Sequence, residues 1–413
     1  MAHRAAPSPD RKKVLVVEMN GGEWLPCRLV PFDGSSSGRP IGPLDGQCTT
    51  ATWSSDGRWM YFSSNAGGAF HVWRQRYPNG TPEQITFGPT EQEGTALAPD
   101  GKHLITSMGL QQASISLKDA SGDRALTSEG FAMLPTMLPS GDRMFYLMRT
   151  GSHGYASGEL WSLNLGTGEK ERALPGRVMA NYSISADGRR VVFTSAGSAS
   201  DDGIWVADLD RRTPPRQLTR GGEFRGASFG GPGEILYISP QAELRYLYRM
   251  REDGSGVEQI RPEPVNNLIS VSPDGQWAVV SLPGMTTGGG WALQLMSLHG
   301  EAPMTACENC VLGFKPNRVQ GSPINWSMDG KSVFVSLHYF GLATAKTVVL
   351  PYRSGVPLAT LWPKGLRYEQ DVAMNPGATV INEANVFPAS SASAHLSWSR
   401  TTQSNLYRVR LPD

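Results

Sequence analysis

The chain has 413 residues with 38 Lys plus Arg against 37 Asp plus Glu, and the net charge of +1 leaves no general electrostatic case for nucleic acid. Purely apolar runs are only a few residues long where a membrane helix needs about twenty, so no span is expected. With 47 Gly, 30 Pro and 18% charged residues, the composition suits a chain that turns every few residues.

Residues 1–13 hold basic residues and prolines without an apolar core, and read as a disordered tail rather than a secretory signal. Val14-Leu-Val-Val17 and Leu25-Pro-Cys-Arg-Leu-Val30 then read as strands of a blade lacking its first strand. From there a hairpin signal recurs. An apolar strand meets a turn ending in Gly, and another apolar run follows: Trp53-Ser-Ser-Asp56-Gly57, Leu97-Ala-Pro-Asp100-Gly101, Ile184-Ser-Ala-Asp187-Gly188, Val271-Ser-Pro-Asp274-Gly275 and Trp326-Ser-Met-Asp329-Gly330. Leu138-Pro-Ser140-Gly141 and Gly231-Pro232-Gly233 are degenerate copies. Asp-Gly between apolar runs predicts a two-residue hairpin turn. The turn glycines are spaced by 44, 40, 47, 45, 42 and 55 residues, the period of four-stranded propeller blades.

A third strand is predicted at Val72-Trp73, Leu160-Trp161, Ile204-Trp205, Leu247-Tyr248 and Leu406-Tyr407, its aromatics wedged between blades. Short fourth strands follow at Gln84-Ile85-Thr86, Ala125-Leu126-Thr127, Gln217-Leu218-Thr219 and Gln259-Ile260. His395-Leu-Ser-Trp398 and Asn405 to Leu411 are strands without a full unit of their own. Because closure removes free sheet edges, residues 14–46 and 395–413 are expected to share one composite blade. The prediction is an all-β propeller over 14–413, a single domain of four-stranded antiparallel blades. Eight blades are expected, with seven as the alternative because residues 363–394 fit the repeat poorly.

These units resemble the TolB-type, WD-repeat-like propeller repeats of bacteria. More narrowly, Trp53 to Gly101, Glu129-Gly130 and Leu209-Asp-Arg-Arg-Thr-Pro-Pro-Arg-Gln217 resemble the propeller half of bacterial transmembrane serine/threonine kinases. That resemblance implies a sensory or protein-binding domain without chemistry of its own. The kinase itself is absent, for there is no Gly-rich loop with a strand Lys, no His-Arg-Asp loop and no Asp-Phe-Gly.

Candidate sites are few. Gly34-Ser-Ser36-Ser-Gly38 and Gly226-Ala-Ser228-Phe-Gly230 match a hydrolase nucleophile elbow, but neither is followed by the helix that motif needs. Cys307 and Cys310 are the candidate metal ligands, with Cys27 and Cys48 able to complete a four-thiolate site; a local Cys307–Cys310 disulfide and free thiols are the other readings, and free thiols are favoured. His71, Trp73 and Arg74 are the candidate binding residues, a polar-aromatic patch at a blade edge; an ordinary alternating strand is the plainer reading. The remaining histidines show no metal-ligand spacing.

The expectation is therefore a non-catalytic binding or sensing module, not an enzyme and without a cofactor. It is expected to be a monomer, recognising a protein partner or small ligand at a propeller face or channel. The alternatives are the sensor half of a receptor kinase, or a hydrolase or lyase using the channel. A cytoplasmic location is expected if the chain is complete, and an extracytoplasmic one if it belongs to a membrane kinase.

Overall fold

Each Asp-Gly hairpin closes through its own side chains. Ser54 Oγ donates to Asp56 Oδ1 at 2.6 Å, and Asp56 Oδ1 accepts the Arg58 amide at 2.9 Å. The Trp59 amide donates to Ser54 Oγ at 2.8 Å, while the Ser54 amide donates to the Trp59 carbonyl at 2.8 Å. The same Ser-to-Asp bond recurs at Ser185–Asp187, Ser272–Asp274 and Ser327–Asp329. These donors, the serine hydroxyl first, hold the Asp56 and Asp187 carboxyls below their usual value. The turn is longer than the predicted two-residue form. Residues 55–58 lie between the closing pair, and only the glycine, φ +69° at Gly57, needs the left-handed region, so the aspartate serves as a side-chain acceptor.

This computed structural model describes all residues except 1, 21–22, 68, 89–90, 150–156, 197–201, 223, 285–289, 313–322, 338–345, 392 and 412–413. The chain forms two compact units rather than the single expected domain: residues 1–112 with 401–413, and residues 113–400. Short helices, Leu358–Leu361 and Glu369–Ala373, interrupt an otherwise all-β chain. Among the described residues, no helix is long and apolar enough to cross a membrane.

In the first unit one sheet orders Ala2–Pro7, Lys13–Asn20, Arg28–Pro31 and Arg39–Pro40, and a second orders Cys48–Trp53, Trp59–Ser64, His71–Arg76 and Glu83–Gln84. Leu15, Val17, Leu29, Met60 and Phe62 form its main core. Two expectations are corrected here. Residues 1–13 are not a disordered tail, because Ala2–Pro7 pairs antiparallel with Lys13–Asn20. That pairing also undoes the composite blade of 14–46 with 395–413. Lys13–Asn20 already has Ala2–Pro7 on one edge and Arg28–Pro31 on the other, and offers the C-terminal strand no edge.

The second unit contains, among the described residues, six sets of four strands, labelled blades A to F, of which B and C run together as one eight-stranded sheet where Gly158 and Glu159 pair with Met179 and Val178. Blade B is Ala132–Met137, Arg143–Met148, Gly158–Asn164 and Lys170–Arg172; blade C is Val178–Ile184, Arg190–Ser195, Ile204–Asp208 and Arg216–Gln217. Blade D is Arg225–Phe229, Glu234–Gln241, Leu244–Arg251 and Glu258–Gln259; blade E is Asn267–Val271, Trp277–Ser281, Gly290–Ser297 and Met304–Leu312. Blade F is Ile324–Trp326, Ser332–Ser336, Thr347–Pro351 and Thr379–Ile381, and both helices fall between its third and fourth strands, which explains why residues 363–394 break the repeat.

Blade A is the composite one. Val386–Pro388 and residues 395–400 of His395–Arg410 form its first two strands, and residues 113–119 of His103–Asp119 with Gly122–Ala125 form the other two. Its first strand lies against the first strands of both blade B and blade F, so the six blades close on themselves. Apolar side chains pack from blade to blade, as where Trp205 of blade C joins Phe145 and Leu147 of blade B.

Candidate functional site

The first strands of the blades of the second unit surround a cavity of about 370 Å³. Its wall follows the repeat. Five residues before each turn glycine stands a small hydrogen-bonding residue: Thr136 in blade B, Ser183 in C, Ser228 in D, Ser270 in E and Asn325 in F. A strand alternates its side chains between faces, so one register in successive blades places them at one level of the channel. Blade A supplies Phe387 and Pro388 to the wall.

Hydrogen bonds order this belt. Ser228 Oγ donates to Ser183 Oγ at 3.2 Å, and the Phe229 amide donates to the same Ser183 oxygen at 3.3 Å. Ser270 Oγ donates to the Ile324 carbonyl at 2.8 Å. The Tyr182 hydroxyl donates to the Leu134 carbonyl at 2.6 Å, and burial pushes its pKa well up, so it stays neutral. Asn181 is used up within the wall. Its Nδ2 donates to the Ala227 carbonyl, and its Oδ1 accepts the amides of Thr194 and Ala227 as well as the Thr194 hydroxyl.

Asn267 differs from Asn181. It lines the same cavity with only 7% of its surface exposed, and among the described residues its carboxamide has no hydrogen-bond partner. Beside it, Gly226 lets the first strands of blades D and E approach closely. A Cβ there, at φ +57°, would stand 2.6 Å from the Leu268 carbonyl and 3.4 Å from Asn267 Oδ1. Arg225 is the only cationic side chain among the described lining residues, and its Nη1 donates to Asn266 Oδ1 at 3.0 Å. No Asp, Glu, His or Lys is among them.

The residues singled out from sequence lie elsewhere. His71 is buried, its Nδ1 2.6 Å from Gln92 Oε1. Trp73 packs beside the Met60 and Phe62 core and donates Nε1 to the Ser64 carbonyl at 3.2 Å. Arg74 stacks over Trp59 and pairs with Glu83 at 3.0 Å. The three are separate packing and pairing residues of one strand, not a shared ligand patch. Cys27 and Cys48 form a disulfide and Cys307 is disulfide-bonded too, which overturns the free-thiol reading and removes Cys307 as a thiolate ligand. The Cys310 side chain lies outside the described ones. Of the two nucleophile-elbow matches, Ser228 is a member of the hydroxyl belt on an inner strand, and Ser36 lies in an exposed loop. The belt itself was legible as Thr, Ser, Ser, Ser and Asn at one offset from the turn glycines, and attention to the turns alone missed it.

No family model matches the chain, and no curated protein matches it. Solved structures similar to it include TolB from Acinetobacter baumannii, 13% identical over 69% of this chain and 74% of that one, with a TM-score of 0.43. An oligogalacturonate lyase in complex with manganese is 14% identical over 81% and 95%, with a TM-score of 0.40. A prolyl endopeptidase is 13% identical over 86% and 55%, with a TM-score of 0.36. The protein is an all-β chain of antiparallel sheets, most of them four-stranded, with a β-propeller fold. One expectation is corrected by these similarities: since enzymes stand among the similar structures, the lack of a kinase or hydrolase motif does not set the chain apart from enzymes. The kinase-linked propellers remain a resemblance of sequence.

Proposed function

We propose that the six-bladed unit is a recognition module whose channel cavity takes a small ligand. The observation that carries this reading is the belt itself: blades B to F each present a hydroxyl or amide side chain at one level of a cavity whose size falls within the range of small-molecule sites, about 300–1,000 Å³. Rigid strands hold these groups, so binding costs little side-chain ordering. Asn267 adds to the wall a carboxamide without a hydrogen-bond partner among the described residues, which a ligand in the cavity can bond.

The test is a Ser228→Trp variant, which fills the channel from blade D. The wild-type protein should be stabilised against melting by members of a small-molecule library, and the plugged variant, folded by circular dichroism, should not respond. Identical responses from both proteins would place recognition outside the channel.

A further inference from the structure

The chemistry of the belt points to one class of ligand, an inference that rests on the channel being the binding site. Ser270 spends its only hydrogen on the Ile324 carbonyl and presents lone pairs. Ser183 differs, because its oxygen accepts from the Phe229 amide, and the single hydrogen of its neighbour Ser228 has either the Ser183 oxygen or the Phe229 carbonyl to bond, each at 3.2 Å, so the Ser183–Ser228 pair can turn a hydroxyl hydrogen toward the channel. Asn267 offers both a carbonyl oxygen and an amide, with no partner for either among the described residues.

A wall that alternates donors and acceptors fits a ligand whose groups do both. Hydroxyl groups do. A carboxylate or phosphate only accepts, and would face the lone pairs of Ser270 and the Asn267 carbonyl. An ammonium only donates, and no carboxylate stands among the described lining residues to pair with it. Arg225, the cationic side chain of the wall, is engaged with Asn266 through Nη1 at 3.0 Å. The apolar wall at Phe387 and Pro388 suits the C–H face that a polyol ring carries beside its hydroxyls. We infer that the channel of the six-bladed unit binds a neutral, polyhydroxylated small molecule, of the size of a mono- or disaccharide, through Ser183, Ser270 and Asn267.

Titration calorimetry on the full chain tests this, with glucose, galactose and sucrose as neutral probes, galacturonate as the same scaffold carrying a carboxylate, and glucosamine as the same scaffold carrying an ammonium. A neutral sugar should bind more tightly than either charged one. Ser270→Ala and Asn267→Leu should each weaken it about fivefold or more, the loss of one buried hydrogen bond. Ser228→Trp should abolish it. Variants are compared only where their circular dichroism and melting match the wild type, and Ser183→Ala, the smallest change, serves if Asn267→Leu does not fold. Tighter binding of galacturonate or glucosamine that Ser228→Trp blocks would overturn the neutral class while leaving the channel as the site. No binding of any neutral sugar would overturn the inference as well. Sugar binding that persists in Ser228→Trp would overturn both the inference and the channel as the site.

Discussion

Lys118 Nζ stands 2.7 Å from Glu383 Oε1, and this pair ties the third strand of blade A to the segment that leads into its first strand. Glu383 Oε2 accepts from Ser397 Oγ at 2.9 Å, and its carbonyl accepts from Thr347 Oγ1 of blade F at 2.8 Å. One residue therefore holds together the strands that close the six-bladed unit. Glu383→Gln keeps the shape and loses the charge, and should cost about 1 kcal/mol, the upper end of values for exposed pairs, since about a third of each side chain remains exposed. In a unit of this size that lowers the melting temperature by about 2 °C. An unchanged melting curve would mean that the pair contributes nothing to closure.

Acid should loosen the same place. Burial opposes ionisation of Glu383, but hydrogen bonds from Lys118 and Ser397, with the Lys118 charge, outweigh it and hold the carboxyl below its usual value. Burial also holds His395 below its usual value, against the attraction of Glu383 and Asp123 and with the repulsion of Lys118. Both folded pKa values are depressed, so both contributions are present at neutral pH. The histidine's is lost as pH falls below about 6.5, and the carboxylate's below about 4.5. Melting followed from pH 7.5 to 4 should show the second unit weakening in both steps. His395→Phe should remove the upper step, and a variant that kept it would assign that step elsewhere.

Truncation separates the two units. Residues 395–400 form the second strand of blade A, whereas Leu411 is buried in the first unit with Tyr61, Val72 and Leu104. Removing 401–413 should lower the stability of the first unit and leave the transition of the second in place. Removing 395–413 should in addition expose the edges of blade A and cause aggregation. Light scattering and calorimetry on both truncations distinguish these outcomes, and equal behaviour of the two would contradict the assignment.

The Cys27–Cys48 disulfide spans 21 residues and links the first two sheets of the first unit. A loop of that length corresponds to about 3 kcal/mol of restricted unfolded-state entropy in the chain-entropy description. Cys27→Ser with Cys48→Ser should therefore shift the denaturant midpoint of the first unit downward while that of the second holds. A double variant as stable as the wild type would show that the bridge is dispensable.

The repeat was legible because a hairpin is local. Ser185, Asp187 and Gly188 sit within four residues of one another and close their own turn, so the sequence pattern and the structure coincide there. The candidate site was less legible. Ser183, Ser228 and Ser270 look like ordinary alternating strand residues, and only the arrangement of blades brings them to one cavity with Asn267. His71, Trp73 and Arg74 stood out by residue type, yet Gln92, the Ser64 carbonyl and Glu83 hold them.

By itself the sequence determined the all-β class, the four-stranded unit and its turns, since each depends on interactions between near neighbours in the chain. Tertiary structure alone decided the closure. Residues 395–400 could have paired with any free strand edge, and Lys13–Asn20 was unavailable because Ala2–Pro7 occupies one of its edges and Arg28–Pro31 the other. The edge of residues 113–119 was open, and the contact of Ser114 with Ser399 at 2.9 Å joins residues 285 positions apart. Backbone donors and acceptors along a strand edge are the same whatever its side chains, so the choice of partner rests on which edge the rest of the fold leaves uncovered.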